Sequence, residues 1–180
     1  HMLSITTIFG ILAKNGQKNG FALRSGATEA ELYATEMEIG CRFPTEIRQA
    51  YLLHNGQESW GKPFLGMGRW LSLEEVRTLN KTFKRDGIVN KTWVPISCDH
   101  CGNHACVELN PIRSDTYGWI FAVWQGSPKT LTLSTSLGAH LIEQLECLGI
   151  DIPLQILFPE HWQDFEPQAA NQLNIFRQIA

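Results

Sequence analysis

The 180-residue sequence predicts an α+β domain with a central antiparallel sheet flanked by helices. Three observations predict it. Thr28 to Gln57 holds two capped helical segments in succession. Thr92 to Leu133 holds four short runs rich in β-branched and aromatic residues, joined by connections too short for helical crossovers. Helical spacing then returns from Leu137 to Leu148. Helices, a meander of strands and helices again is the pattern of helices laid on an antiparallel sheet. The chain is long enough for one sizeable core, and its 43% hydrophobic and 18% charged content is globular.

The elements follow in chain order. His1 reads as a tag remnant ahead of Met2, and residues 1–27 are set apart as an N-terminal extension. Leu3 to Ala13 is apolar but shorter than the roughly 20 residues a membrane span needs. Its first basic residue, Lys14, comes after the apolar run, and no small-x-small cleavage site follows. A buried helix or strand is expected, with a secretion signal as the alternative. Asn15-Gly16 and Asn19-Gly20 predict loop or hairpin turns.

Thr28 and Glu31 form a capping box, and Ala30, Tyr33, Ala34 and Met37 recur at helical spacing as an apolar stripe. Glu36 lies on the bordering line Leu32, Glu36, Ile39, where a partly buried carboxylate needs a backbone N–H or a basic partner. Gly40 is placed to end this helix in a left-handed cap, and Pro44 to open the next at its first position. Ile47, Ala50 and Tyr51 give that second helix its apolar side, and Asn55-Gly56 stops it. Gln57 to Gly68 is loop with room for a short strand.

Ser72 and Glu75 make a second capping box, opening a helix with Leu73, Val76, Leu79 and Phe83 inward and Asp86-Gly87 as its end. The expected strands are Thr92–Cys98, Ala105–Leu109, Gly118–Trp124 and Thr130–Leu133, and Pro95 puts the first at an edge or a bulge. Leu137, Leu141, Leu145 and Leu148 predict a late helix ended by Gly149. Residues 28–150 are the expected domain. Residues 151–180 are a C-terminal extension packing on it, with a strand or apolar loop at Ile152–Phe158 and a helix at Pro167–Ile179.

The formal charge of −3 speaks against a basic nucleic-acid surface, and no apolar run is long enough for a membrane span. Five cysteines, an odd number, point to a reducing cytoplasm rather than a disulfide scaffold. Acidic residues dominate both Thr28–Glu75 and the last forty residues, which reads as solvated helix faces or as acidic surface for a basic partner.

Cys98-Asp99-His100-Cys101-Gly102-Asn103-His104-Ala105-Cys106 crowds five zinc-type ligands into nine residues. A structural zinc site takes two separated pairs, whereas this is one cluster, so a turn with Cys98 and Cys106 as small apolar residues on flanking strands is preferred. His104 and Cys106 share a strand face under that reading. A Cys–His nucleophile would need a base and an orienting group, and no hydrolase signature surrounds any cysteine. Gly66-Met67-Gly68 lacks the features of a phosphate loop. No catalytic residue, metal or cofactor is expected. Trp93 and Trp119 are expected in the core. Trp60, in a polar loop, is either an exposed anchor or folded back on the sheet.

The order Glu36, Gly40, Phe43-Pro44, Tyr51-Leu52, His54-Asn55-Gly56 resembles the opening signature of the SMI1/KNR4 (SUKH) superfamily. The resemblance continues through Trp70–Val76, Val94-Pro95-Ile96, Asp99, Gly102-Asn103, Cys106–Leu109, Gly118-Trp119-Ile120 and Ser136-Leu137 to Leu145. It covers about residues 28–148. It implies a non-enzymatic protein-binding module, in bacteria an immunity protein that occludes the active site of a toxin such as a basic nuclease. A regulatory or scaffold protein of the same fold, as in fungal cell-wall regulators, is the alternative. A metal- or thiol-dependent enzyme using the 98–106 cluster is the competitor from another class. The expected partner is a protein, with no direct nucleic-acid or membrane contact. Its contacts are expected at Asn55, Gly56, Glu58, Trp60, Trp70, Glu74, Glu75, Asp99 and Asn103, where loop and turn residues interrupt the core pattern.

Overall fold

The computed structural model describes residues 4–87, 92–112 and 115–150. Among the described residues five helices and six strands follow one another as α1 (Ile5–Asn19), α2 (Glu29–Ile39), α3 (Thr45–Leu53), β1 (Arg69–Trp70), α4 (Leu73–Asp86), β2 (Trp93–Pro95), β3 (Ser97–Cys98), β4 (His104–Glu108), β5 (Ile120–Val123), β6 (Thr130–Ser134) and α5 (Leu137–Cys147). Strands β2-β4-β5-β6 form an antiparallel sheet in that order, and β1 pairs with β3 in a small antiparallel sheet of its own. The expected α+β architecture is the observed one. Pro95 does lie on an edge strand. The single strand expected over Thr92–Cys98 is interrupted at Ile96, after which the chain pairs with β1 as β3.

Registry assigns the two sheet faces. Val94, Val107 and Ile120 align across one face with Ala105 beside them, all in the main core, and Ala122, paired with Ala105, is buried there too. The helices meet them there through Ile8, Leu12, Leu32, Ile47, Tyr51, Val76 and Leu141. Helix α1 packs on α3 and α5, and α2 on α3 and α4. The opposite face carries Cys106 and Val123, covered by Phe83 of α4.

Beside them Trp93 and Phe121 stack at 4.4 Å, with Trp119 next at 6.4 Å. Trp93 and Trp119 are thus half-buried on the sheet face opposite the main core, with Trp93 packed against the small Phe83, Cys106 and Val123 cluster. Their pleat parity with Cys106, not with Val107, decides it. Trp93 Nε1 donates to the buried Glu108 Oε2 at 2.7 Å, and the Asn110 N–H satisfies the other oxygen at 2.8 Å.

Three further expectations change. Ile5–Ala13 is helical, but α1 runs on through Asn15-Gly16, and only Asn19-Gly20 ends it, with Gly20 at φ 75°. The side-chain amides of Asn15 and Asn19 donate to carbonyls one turn back, which keeps them compatible with the helix. Pro44 is the N-cap, one position before the expected site. In α2 the buried residues are Leu32, Thr35, Glu36 and Ile39, while the apolar stripe Ala30, Tyr33, Ala34 and Met37 faces outward. The capping boxes at Thr28/Glu31 and Ser72/Glu75 are both formed. The expectations for Ile152–Phe158 and Pro167–Ile179 lie outside the described residues.

Candidate functional site

The nine expected contact residues fall on three segments that the fold brings side by side. Gln57 holds the first. It is fully buried, and its side chain makes three hydrogen bonds: Nε2 donates to Phe21 O at 2.5 Å and Lys62 O at 2.8 Å, while Oε1 accepts the Trp70 N–H at 2.7 Å. Its own N–H donates to Trp70 O at 2.9 Å. A buried amide satisfied on both ends fixes the loop it anchors. In the sequence Gln57 reads only as the boundary between the helix pair and the loop that follows. A glutamine just after a helix stop carries no spacing signal.

Arg69 links the three segments, the first two through its side chain and the third through strand pairing. Its guanidinium donates to both Glu75 oxygens, at 3.1 Å from Nη1, and reaches Gln57 O at 3.4 Å. Its Cα partner across the small sheet is Cys98, next to Asp99. Burial alone would raise the Glu75 carboxyl, but Arg69 and the Ser72 N–H outweigh it and hold it below the usual carboxylate range.

Asp99 closes the β3–β4 turn. Oδ1 accepts from the Cys101 and Asn103 N–H groups, both at 2.8 Å, and Oδ2 from Asn103 Nδ2 at 2.7 Å. Burial opposes its ionisation, and these donors more than offset that, so its carboxyl also sits low. Asn103 Oδ1 accepts from the Gln125 N–H at 3.2 Å, joining the turn to the end of β5.

The expected residues divide by what they touch. Asn55 Oδ1 accepts the Leu73 N–H at 2.8 Å, serving the start of α4. Gly56, at φ 78°, is buried beneath that same turn, and a Cβ there would lie 2.4 Å from Ser72 N. Trp70 is 2% exposed, its ring packed on Tyr51 and Phe9 at about 5 Å. These three build the surface from below. Glu58 pairs with Arg24 at 3.3 Å. Among the described residues the Glu74 carboxylate has no partner, and Trp60 is 75% exposed.

Trp60 borders a largely apolar hollow of about 320 Å³ lined also by Ala13, Gly16, Gly20, Ala22, Leu23 and His54. Part of that wall is α1, from the segment set apart as an extension; Ile5, Ile8, Phe9 and Leu12 of α1 share the main core.

The cysteine-histidine cluster is spread over different surroundings. Cys106 is fully buried against Phe83 and Val123, where burial pushes its thiol far up. His104 is on the same face, its ring edge-on to Phe83 at 4.8 Å and its Nδ1 3.0 Å from Ser97 O. Burial moves its pKa down. Cys98 is half-buried on β3 and Cys101 is exposed at the tip. Among the described residues no three His, Cys, Asp or Glu side chains are grouped to hold a metal ion.

The sequence profile of the SMI1 / KNR4 family (SUKH-1) matches residues 26–143. The chain belongs to the SMI1/KNR4 family. The matched span contains all three segments of the candidate site and leaves out α1. The cell wall biosynthesis/cell cycle regulator smi1 of Schizosaccharomyces pombe is 22% identical over a stretch covering 53% of this chain and 25% of that protein. The F-box only protein 3 of Homo sapiens is 46% identical over 37 residues, which is 21% of this chain and 8% of that one. This SMI1/KNR4 chain therefore spans a quarter or less of the length of these curated relatives. Among its described residues no helix is long and apolar enough to cross a membrane.

Proposed function

We propose that this SMI1/KNR4 protein is a non-enzymatic, cytoplasmic binding module of the immunity type. It docks on one toxin domain and covers its active site. The observation that carries the reading is Trp60, 75% exposed beside the hollow of α1 and the Phe21–Leu23 segment, on a loop fixed by Gln57. An indole held out on a rigid loop loses little freedom on docking, and such aromatic anchors supply much of an interface's binding energy. The acidic contribution is smaller than the sequence implies, because Glu58, Glu75 and Asp99 are engaged internally. Among the described residues Glu74 is the exposed carboxylate of the expected set that has no partner, and it is the one to steer a basic partner.

A regulatory or scaffold role is the second reading, favoured by the match to the S. pombe regulator. Co-expression with the product of the neighbouring gene tests the first. The expected result is relief of that product's toxicity and a stable complex. Trp60→Ala should speed dissociation by about 30-fold, equivalent to about 2 kcal/mol, and Glu74→Lys should slow association. A non-toxic neighbour, or a complex indifferent to both changes, overturns the reading.

A further inference from the structure

Helix α2 has a mixed buried face and, opposite it, an apolar exposed one. One face, Leu32, Thr35, Glu36 and Ile39, is buried. The other, Ala30, Tyr33, Ala34 and Met37, is exposed, with Tyr33 at 63% and Met37 at 65%. The spacing i, i+3, i+4, i+7 makes it a continuous stripe of the kind helices use to pack on one another.

We propose that this stripe is the contact between two copies of the chain, paired antiparallel about a two-fold axis near the Tyr33–Ala34 midpoint. The sequence of the stripe is self-complementary under that operation. Residue numbers facing each other sum to 67, so Met37 of one copy meets Ala30 of the other, and Tyr33 meets Ala34. Each large side chain is thereby set opposite a methyl group, which lets the helices approach closely with their dipoles opposed.

Charge follows the same symmetry. Arg42 lies just beyond the C-terminus of α2 and lines a hollow of about 410 Å³ with Tyr33 and Met37. It also lines the adjacent hollow with Glu29, which places both on one flank of the helix. The Arg42 guanidinium has no carboxylate partner among the described residues. Antiparallel pairing brings the C-terminal end of one α2 to the N-terminal end of the other, so each Arg42 faces the exposed Glu29 of the second copy. That Glu29 also holds its own Arg48 at 2.6 Å. On the other flank Glu38 approaches Glu31 of the second copy, but Glu38 is already held by Lys81 at 2.5 Å and Arg77 at 3.5 Å.

A helix of 11 residues is roughly 16 Å long. Such a contact falls short of the roughly 1,000 Å² typical of stable interfaces, so the dimer is weak and reversible.

Sedimentation velocity of the full chain, from low to several hundred micromolar, is the test. The expected result is a monomer that becomes a dimer across that range. Met37→Glu should raise the dissociation constant at least about tenfold, by placing a carboxylate on an apolar contact. Arg42→Glu should weaken the dimer, and combining it with Glu29→Arg should restore it. The melting temperature of Met37→Glu should equal that of the wild type at concentrations where both are monomers. A wild type that stays monomeric, or a dimer untouched by Met37→Glu, overturns the proposal. A melting temperature lowered in the monomer does too, since the stripe would then be covered within its own chain.

Discussion

Glu36→Ala should destabilise the fold by about 3 kcal/mol. The carboxylate is 8% exposed and joins three pieces of structure. Oε1 accepts the Phe43 N–H at 2.9 Å, in the link between α2 and α3, and Oε2 accepts Arg48 Nη1 at 2.5 Å, on α3 itself. Truncation leaves the buried Phe43 N–H without an acceptor, a loss of about 1–3 kcal/mol. Arg48 loses its more buried partner, but its side chain is 19% exposed and keeps Glu29 at 2.6 Å. The roughly 3–5 kcal/mol for orphaning a fully buried charge therefore shrinks to about 1 kcal/mol here.

Glu36→Gln keeps an acceptor for Phe43 and should cost only about half as much as the alanine. Urea unfolding at neutral pH measures both. For a domain of this size the alanine variant should also melt about 6–12 °C lower. Equal costs for Gln and Ala, or an alanine cost below about 1 kcal/mol, would refute the bridging role assigned to this carboxylate.

Two other outcomes are expected. His140 is 1% exposed, and neither ring nitrogen has a hydrogen-bond partner among the described residues; burial lowers its pKa from 6.5 to about 4. Above pH 6.5 it is neutral folded or unfolded, whereas toward pH 4 only the unfolded chain takes the proton. The wild type should therefore lose about 3 kcal/mol relative to His140→Leu over that window, read from paired urea titrations at several pH values. Gly40 and Gly56 share a positive φ but differ in surroundings: nothing lies within 4 Å of a Cβ at Gly40, while one at Gly56 would strike Ser72 N. Gly40→Ala should cost about 1–2 kcal/mol from backbone strain alone, and Gly56→Ala distinctly more, both by thermal melts.

Most of the fold was legible because its signals are local. A capping box needs two residues three apart, and both boxes formed where Thr28/Glu31 and Ser72/Glu75 indicated. The strand meander was legible from short connections and β-branched runs, and the edge position of its first strand from Pro95. What failed was whatever depends on a partner distant in sequence. Trp93 and Trp119, in strand segments, read as core, but pleat parity places them half-buried on the face opposite the main core. The face of α2 was assigned by counting apolar residues, and Ala30, Tyr33, Ala34 and Met37 win that count. The protein buries the competing face because Phe43 and Arg48 supply the donors that make a buried Glu36 affordable. The need of Glu36 for such donors was readable; that it outranks the uncharged stripe was not.

Several polar residues of the candidate site are committed to the fold in the same way. Polar residues at loop ends attract a functional interpretation, yet a helix start exposes backbone N–H groups that need acceptors before any partner arrives. Asn55 and Glu75 both answer to the first turn of α4, and Asp99 answers to its own turn. Once those obligations are assigned, the surface that remains for a partner is smaller and of different character. Among the described residues expected at the contact, it is an indole at Trp60, an apolar hollow that includes α1, and a carboxylate at Glu74 with no partner. Such a face gains affinity from apolar burial more than from charge. Raising the salt concentration should accordingly slow association modestly and leave dissociation nearly unchanged. A complex whose dissociation rate rose steeply with salt would mean that its binding energy lies in ion pairs elsewhere on the molecule.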